Sequence, residues 1–429
     1  MSLRFQPKTR REFLQGAGGG LGLIAFAGFA PSFLVNSVLA ETPRAEKDRQ
    51  ILVLVQLAGG NDGLNTVVQH QDDNYHRLRP TLGLRANAGL HAIDDQLALN
   101  PGMGKMAQLI KEGKMAVVQN VGYPNPNRSH FRSTEIWETA SDSDKTAYNG
   151  WLGRYFDACC DGEGKDPLAI HGGDVMPQTF QSDKPHNIFG ISGAGRGGRR
   201  ADRKGARSAS GGKDETELLM DLNEAPLATG DAGDPADNAH YLRHTLMDAL
   251  LTESRVGEII ANYQPSVPYP GTGIGQSLQR IAALISAGLE TRVYYATHGG
   301  FDTHANQLNR HAQLLGELSD ALHAFQSDLE RKRLDRQVLT MTFSEFGRRP
   351  SENSTAGTDH GTSAPLFVMH SGVQQAVNGT APNLAIKPNE DITFSTDFRQ
   401  VYATVLHGFL QADPTKVLGK TPYKELSFL

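Results

Sequence analysis

Carboxylate, imidazole and guanidinium side chains concentrate in one polar stretch, residues 343–369 (FSEFGRRPSENSTAGTDHGTSAPLFVM). The stretch contains Glu345, Arg348, Asp359 and His360, and the apolar runs QVLTMTF and PLFVM lie at its two ends. Carboxylate oxygens and imidazole nitrogens bind divalent metal ions, and an arginine binds anions. Because open α/β sheets place their chemistry beyond the carboxyl ends of buried strands, the stretch predicts a functional site there.

Three other polar clusters also follow runs that are predicted to be buried strands. They are Asn61-Asp62, Arg128-Ser129-His130, and residues 298–304, which include His298, Asp302 and His304. Taken alone, each has an ordinary explanation, because Asn-Asp-Gly forms turns and a serine is a good helix N-cap. A serine at a helix N-terminus also lies in a positive field that stabilises an alkoxide or an attached phosphate, so Ser129 is a candidate for either role.

The elements predicted to position these clusters alternate between strands and helices. Strands buried on both faces are indicated by the apolar runs at 51–57, 115–119, 292–296 and 337–343. Helices are indicated at 106–112, 130–137, 277–289 and, from leucines and a phenylalanine at steps of three and four, at 315–329. This order predicts a doubly wound, mostly parallel α/β sheet with helices on both faces. The carboxyl ends of parallel strands meet at one edge, so the four clusters are expected to converge in space.

The converged set would offer carboxylates and imidazoles without a thiolate. Its members are Asp62, Asp302, Glu345 and Asp359 with His298, His304 and His360. These donors suit zinc, manganese, magnesium or calcium, and one or two divalent ions would offset the mutual repulsion of the carboxylates. The alternative is that Glu345 and Asp359 cap helices or pair with Arg348 and Arg349, and that the histidines are satisfied loop residues.

The composition sets broad limits on the class of protein. With 429 residues, of which 38% are hydrophobic, the chain is long enough for one large α/β domain or two smaller ones. A formal net charge of −5 gives no sign of nucleic-acid binding. Cys159 and Cys160 are adjacent, so they predict two ordinary thiols near a helix end rather than a disulfide framework. Residues 193–237 are rich in Gly, Arg, Ala, Asp and Ser and predict a flexible surface insertion.

Residues 1–40 resemble a twin-arginine export signal. An arginine pair at 10–11 precedes a glycine-rich apolar stretch, and 38–40 (VLA) offers a small-residue cleavage site. A membrane anchor is the alternative, but the apolar stretch is broken by Pro31 and is short for a bilayer span. An export signal implies the twin-arginine translocase as a partner. It also implies a periplasmic or extracellular location for residues 41–429, which are expected to form a single domain.

Seven motifs together resemble an exported bacterial family called domain of unknown function 1501. They are QLAGGNDGLNTVV, PNRSHF, GWLGR, HGGFDTH, TFSEFGRRPSEN, GTDHGTSAPLFVM and DFRQVYATVL, and they run from about Ile51 towards the C-terminus. That family is similar to the alkaline phosphatase superfamily, which includes sulfatases, phosphodiesterases and cofactor-independent phosphoglycerate mutases. The resemblance implies an alkaline phosphatase-like doubly wound sheet and a site with up to two metal ions.

The resemblance also implies roles for individual residues. Ser129 matches the position of the nucleophile at its helix start. The residues that match metal ligands, or lie beside one, are Asp62, Asp302, His304, Glu345, Asp359 and His360. Glu345 occupies a strand end where the superfamily has Asp-His, but Phe346 follows it, so one expected histidine is missing. The Asp302-Thr303-His304 spacing is also closer than is usual in the superfamily.

These expectations combine into an exported, metal-dependent hydrolase of phosphate or sulfate esters. Ser129 would attack a small anionic ester or an ester linked to a polysaccharide, and Arg128 or Arg348 would bind its anion. The alternative is a non-catalytic secreted protein that uses the fold to bind or to assemble with a co-exported protein partner. A carbohydrate- or sulfate-binding module is a third hypothesis, and an aromatic content of 7% offers little support for it.

Overall fold

The structure, a computed structural model, describes residues 49–160, 166–173, 175–191 and 251–429. The predicted export signal at 1–40 and the predicted insertion at 193–237 lie outside these residues. Over the ranges that are described, none of the helices is both long enough and apolar enough to cross a membrane.

The strands of the described ranges are β1 (Ile51–Ala58), β2 (Val67–Val68), β3 (His91–Ala92), β4 (Ala98–Leu99), β5 (Met115–Gly122), β6 (Ala169–Gly172), β7 (Ile188–Ile191), β8 (Val293–Gly299), β9 (Val338–Phe343), β10 (Ala364–Met369), β11 (Val377–Asn378) and β12 (Thr396–Asp397). The helices are α1 (Gly63–Thr66), α2 (Asp73–Leu78), α3 (Gly104–Lys111), α4 (His130–Thr139), α5 (Trp151–Cys159), α6 (251–262), α7 (Gly273–Ser286), α8 (Gln307–Arg331), α9 (Phe398–Thr404) and α10 (Pro414–Leu418).

Within the described residues, nine strands form the main sheet, in the order β11-β5-β10-β9-β1-β8-β6-β7, with β12 paired to β5. Strand β10 is antiparallel to both of its neighbours, β5 and β9, and the other strand pairs of this sheet are parallel. Strands β5 and β9 therefore run in the same direction as β1 and β8. The carboxyl ends of these four strands lie at one edge, which confirms the prediction of a mostly parallel sheet.

Strand β1 shows why both faces of this sheet are covered. Val53 and Val55 belong to a core that also contains apolar residues of α7 and α8, whereas Leu52 and Leu54 belong to a second core with residues of α4, α5 and α9. All four side chains are almost completely buried, at 0–2% exposure. Successive strand residues point to opposite faces, so a continuous apolar run is what a strand between two helical layers requires.

Helix α8 packs one stripe of its surface onto the sheet, as its sequence period predicts. Its leucines at 315, 318, 322 and 329 and its phenylalanine at 325 are buried at 0–1% exposure. The helix connects β8 to β9, which lie on either side of β1. It therefore begins after the loop that follows β8 and leads back to the start of β9.

The prediction of two free thiols is wrong, because Cys159 and Cys160 form a disulfide. Helix α5 ends at Cys159, and Cys160 leaves it with an extended backbone (φ −133°, ψ 118°). A helix would hold neighbouring side chains about 100° apart around its axis. The change of conformation between the two residues lets their sulfur atoms meet.

Candidate metal centre

The loops that follow β1, β5, β8 and β9 meet at the carboxyl edge of the sheet. The backbone N–H of Gly59, after β1, donates to Glu345 Oε1, after β9, at 2.8 Å. The same oxygen lies 2.8 Å from Nδ1 of His130, which begins the helix after β5. Asp302, after β8, lies 3.2 Å from His360 through its Oδ1 atom and the imidazole Nε2. Three of the predicted polar clusters thus contribute side chains to one site, and the loop after β1 contributes the backbone of Gly59 rather than Asn61 or Asp62.

Three imidazoles surround a single carboxylate oxygen at this site. The Nε2 atoms of His304, His360 and His130 lie 3.0, 3.2 and 3.6 Å from Asp302 Oδ1. The Nε2 atoms of His304 and His360 are 3.0 Å from each other. The His130, Asp302 and His360 ligand atoms all lie within 4.8 Å of one another, a grouping that can hold a metal ion.

The other nitrogen of each imidazole, Nδ1, lies against an oxygen that can only accept a hydrogen bond. The contacts are His130 to Glu345 Oε1 at 2.8 Å, His304 to Asp359 Oδ1 at 3.2 Å, and His360 to the Arg128 carbonyl at 2.8 Å. Each Nδ1 must therefore carry the proton. In a neutral imidazole the Nε2 atom then presents a lone pair, which is the form that binds a metal.

When all three rings are neutral, their Nε2 lone pairs face one another and the Asp302 carboxylate. Electron pairs at separations of 3.0–3.6 Å repel unless a cation lies among them. Tetrahedral ligands at zinc–nitrogen distances near 2.0 Å are themselves about 3.3 Å apart. The His130, Asp302 and His360 donors thus fit one metal ion in both chemistry and spacing, and His304 Nε2 lies 3.0 Å from two of them, Asp302 Oδ1 and His360 Nε2.

Glu345 is the carboxylate that orients His130. It is 2% exposed, and its Oε1 atom accepts from Gly59 and from the imidazole. A carboxylate on the second nitrogen of a metal-binding histidine fixes the ring and makes it a stronger ligand. Its other oxygen, Oε2, is buried and has no hydrogen-bond partner among the residues described. Burial of a carboxylate oxygen without a hydrogen bond costs free energy. The Glu345 Oε2 atom would therefore also be stabilised by a nearby cation.

Phe346 occupies the position where the resemblance implied a histidine. Its ring packs against the imidazoles of His130 and His360, with centroids 4.9 and 4.7 Å away. Gly60 has a φ of +80°, and a Cβ atom there would lie 2.3 Å from the Phe346 ring. The aromatic side chain therefore forms an apolar wall behind the ligands and supplies no ligand of its own.

Arg348 is not placed to bind a substrate anion, contrary to prediction. Its side chain has 0% exposure, and its guanidinium donates to Asp302 Oδ1 at 2.6 Å. Its other N–H groups donate to the backbone carbonyls of Gly59, Gly60, Phe301 and Thr358. Although burial favours the neutral acid, these contacts with Arg348 hold the pKa of Asp302 below its usual value. The arginine thus ties three loops together and keeps Asp302 ionised.

Asp62, predicted to be a metal ligand, is not part of the cluster. Its carboxylate is fully buried and pairs with the buried Arg79 guanidinium, with Oδ1 accepting at 2.7 Å, while Gln307 also donates to it. Burial alone would raise the pKa of Asp62, but Arg79 holds the pKa below its ordinary value. His298 also lies outside the cluster, since its Nε2 contacts the carbonyl of Leu314 at 2.9 Å.

Ser129 and Arg128 lie on the exposed loop before α4. Ser129 is the N-cap residue of this helix, but among the described residues its side chain makes no capping hydrogen bond. Its hydroxyl therefore does not cap the helix, which is the ordinary structural role of a serine at this position. Arg128 is partly exposed and forms an ion pair with Asp391. His130 belongs to a predicted polar cluster but not to the predicted ligands, although its position directly after Ser129 is a usable signal.

His311, on α8, gives the protein a measurable pH dependence of stability. It is 1% exposed, its Nε2 lies 2.9 Å from Asn61 Oδ1, and burial lowers its pKa to about 4. The unfolded chain, with an ordinary pKa near 6.5, binds a proton at a higher pH than the folded protein. The His311 contribution to stability is therefore complete above about pH 6.5 and is lost as the pH falls towards 4.

We expect the free energy of unfolding to fall between pH 7.5 and pH 5 by about 2 kcal/mol more in the wild type than in His311→Gln. Glutamine retains an N–H donor and does not titrate. Urea unfolding at both pH values measures the difference. Parallel pH profiles for the two proteins would show that His311 is protonated without cost in the folded state.

Comparison with known proteins identifies the family. The chain belongs to the family described as Protein of unknown function (DUF1501), whose profile matches residues 49–421, and this confirms the resemblance carried by the motifs. No curated protein matches the chain by sequence. The solved structures with a similar fold include three from bacterial proteins. They are alkaline phosphatase from the Antarctic bacterium TAB5 (11% identity, 76% of this chain and 92% of that chain, TM-score 0.31), the lipoteichoic acid synthase LtaP from Listeria monocytogenes (9%, 85% and 80%, 0.33), and a Bacteroides thetaiotaomicron protein from a genetic locus for the metabolism of multiple glycosaminoglycans (11%, 88% and 83%, 0.35).

Proposed function

We propose that this member of the DUF1501 family is an exported, metal-dependent hydrolase of phosphate or sulfate esters. The observation that carries the proposal is the convergence of three imidazole Nε2 atoms on Asp302 Oδ1, at 3.0–3.6 Å. His130, Asp302, His304 and His360 would hold the ion. Imidazole-rich sets favour zinc and related transition metals, whereas magnesium and calcium prefer oxygen ligands.

We place one ion at this site rather than two. The carboxylate of Asp62, which would serve a second ion, is already neutralised by Arg79. Phe346 supplies an apolar ring where another ligand would be needed. Glu345 and Asp359 contact the Nδ1 atoms of histidines, so both orient ligands. An equilibrium metal content of one per chain supports this assignment, and a content of two contradicts it.

Ser129 is the proposed nucleophile because it directly precedes α4 and the proposed ligand His130, and its hydroxyl makes no capping bond within the described part of the chain. Its Oγ atom would bond to the phosphorus or sulfur atom as the bond to the alcohol breaks, and the serine proton would leave with the alcohol. Water would then hydrolyse the serine ester. A bound divalent ion would supply Lewis-acid polarisation of the ester oxygens.

We expect Ser129→Ala to lower the turnover of any phosphate or sulfate ester that the wild type hydrolyses by roughly 100-fold. The metal content should not change, because Ser129 is not a ligand. Thr134→Ala, which removes a hydroxyl from the same helix, is the matched control and should retain wild-type rates. Initial rates on p-nitrophenyl phosphate, bis-p-nitrophenyl phosphate and p-nitrophenyl sulfate measure the effect. Full activity in both Ser129→Ala and Asp302→Ala would rule the mechanism out.

The second candidate is a secreted metal-binding protein without turnover, which would bind or assemble with a co-exported protein partner. Phe346 favours this candidate, because it replaces a ligand position with an apolar ring. A stoichiometric metal together with no hydrolysis across phosphate and sulfate esters would select it.

Export through the twin-arginine translocase is part of either proposal and rests on residues 1–40. N-terminal sequencing of protein recovered from the periplasm or the medium tests it. A mature start near Glu41 supports export with cleavage. Recovery of the whole chain from the cytoplasm alone contradicts it.

A further inference from the structure

Two arginines lie on either side of one carboxylate near the candidate metal centre. Arg128 Nη2 pairs with Asp391 Oδ2, and Arg349 Nε lies 3.7 Å from Asp391 Oδ1. The arginine side chains are 40% and 32% exposed, so both can reach a ligand from solvent. Two guanidinium groups therefore share the single carboxylate of Asp391.

The backbone fixes this arginine pair beside the metal ligands. The carbonyl of Arg128 accepts from His360 Nδ1 at 2.8 Å, and the N–H of Arg349 donates to the carbonyl of Asp359 at 2.9 Å. These contacts lie on the Nδ1 side of the His360 ring, whereas its Nε2 faces Asp302. The arginine pair therefore lies beside the ligand shell, displaced from the place where a reacting group would meet the metal.

The ion pair itself does not explain why two like charges are held together here. Partly exposed ion pairs contribute little to folding. Arg128 and Arg349 contact the two oxygens of the same carboxylate, so their like charges are held close enough to repel each other. Asp391 Oδ1 is buried and has no hydrogen-bond partner in the described ranges. The carboxylate is thus an incomplete counter-ion for the pair.

We propose that Arg128 and Arg349 form a subsite for a second anionic group of the substrate, with Asp391 as its built-in competitor. The substrate class is then a polyanionic ester, in which a sulfate, phosphate or carboxylate lies near the ester that reacts. Guanidinium groups bind each of these oxyanions through charge-assisted hydrogen bonds. The inference rests on the proposed hydrolase function, but anion binding can be measured without turnover.

The test is isothermal titration of the full chain with inorganic sulfate and, separately, with inorganic phosphate, in metal-loaded protein and after chelation. We expect Arg349→Gln and Arg128→Gln each to weaken binding about tenfold. Asp391→Asn should tighten binding by a similar factor, because it removes the competing carboxylate. Arg336→Gln is the matched control, since Arg336 precedes β9 at the opposite edge of the sheet and should leave binding unchanged.

The outcomes separate this subsite from the metal centre. Binding that persists after chelation and responds to Arg128, Arg349 and Asp391 supports the subsite, even if no ester is hydrolysed. Binding that disappears on chelation places the anion on the metal and overturns the proposal. Equal affinities in the wild type and both arginine variants also overturn it. Once a substrate is known, Arg349→Gln should raise KM for doubly charged esters while kcat and the KM of singly charged esters stay unchanged.

Discussion

Replacement of His130 by alanine is expected to lower the affinity of the protein for the proposed divalent metal ion by about 100-fold or more. A four-ligand zinc site binds with about 10–16 kcal/mol, so one ligand accounts for roughly 3 kcal/mol of the binding free energy. The side chain also links the metal position to Glu345, since its Nδ1 lies 2.8 Å from Oε1 and its Nε2 lies 3.6 Å from Asp302 Oδ1. Loss of the ring removes both contacts together.

The comparison with Glu345→Gln makes this prediction sharper. The amide keeps the size of the side chain but accepts a weaker hydrogen bond, so metal affinity should fall by about 10–100-fold, less than in His130→Ala. His323→Ala is the matched control, because His323 is partly exposed on α8 and lies outside the cluster. Equilibrium dialysis followed by plasma mass spectrometry gives the metal content, and circular dichroism confirms that each variant is folded.

Two results would contradict the assignment of the centre. A folded His130→Ala variant that keeps the wild-type metal affinity would remove His130 from the ligand set. A wild-type protein that takes up no stoichiometric zinc, manganese, calcium or magnesium would show that the cluster is not a metal centre. In that case the non-catalytic alternative becomes the better hypothesis.

The sequence predicts the main strands well because burial on both faces requires continuous apolar runs. The prediction for β1 at 51–57 matches Ile51–Ala58, and the run at 337–343 matches Val338–Phe343. The sequence does not predict that β10 runs antiparallel to its neighbours, because an apolar run does not encode the direction of a strand. Two-residue strands such as β2 and β11 are too short to show any period. Their pairing depends on the surrounding loops.

The site was predictable in position but not in detail. Convergence of four loops follows from strand direction, and the sequence supplies the strands. The partner of each charged group does not follow, because His130 meets Glu345 across 215 residues and Arg79 meets Asp62 across 17. Whether a guanidinium such as that of Arg348 faces solvent or four carbonyls depends on how these loops pack. Ligand types can therefore be read from sequence, whereas the division into ligands and their supporting residues requires the structure.

Replacement of Arg79 by methionine is expected to lower the free energy of unfolding by about 3–5 kcal/mol. Asp62 and Arg79 both have 0% exposed side chains, so the variant leaves a buried carboxylate without its counter-ion. Arg79 also donates to the carbonyl of Pro350 at 2.9 Å, which ties the loop after β9 to the chain segment after α2. Both losses act on the folded state, and urea unfolding at pH 7.5 measures their sum.

The double variant Arg79→Met/Asp62→Leu decides what this pair does. If the pair is structural, replacing both charges by apolar groups should cost much less than the two single substitutions combined, because no unpaired charge remains buried. The metal content should stay at the wild-type level in the double variant, since neither residue belongs to the cluster. Lys145→Met, which breaks an exposed pair with Asp142, is the control and should change stability little. Loss of the metal from a stably folded double variant would instead return Asp62 to the ligand set and imply a second ion.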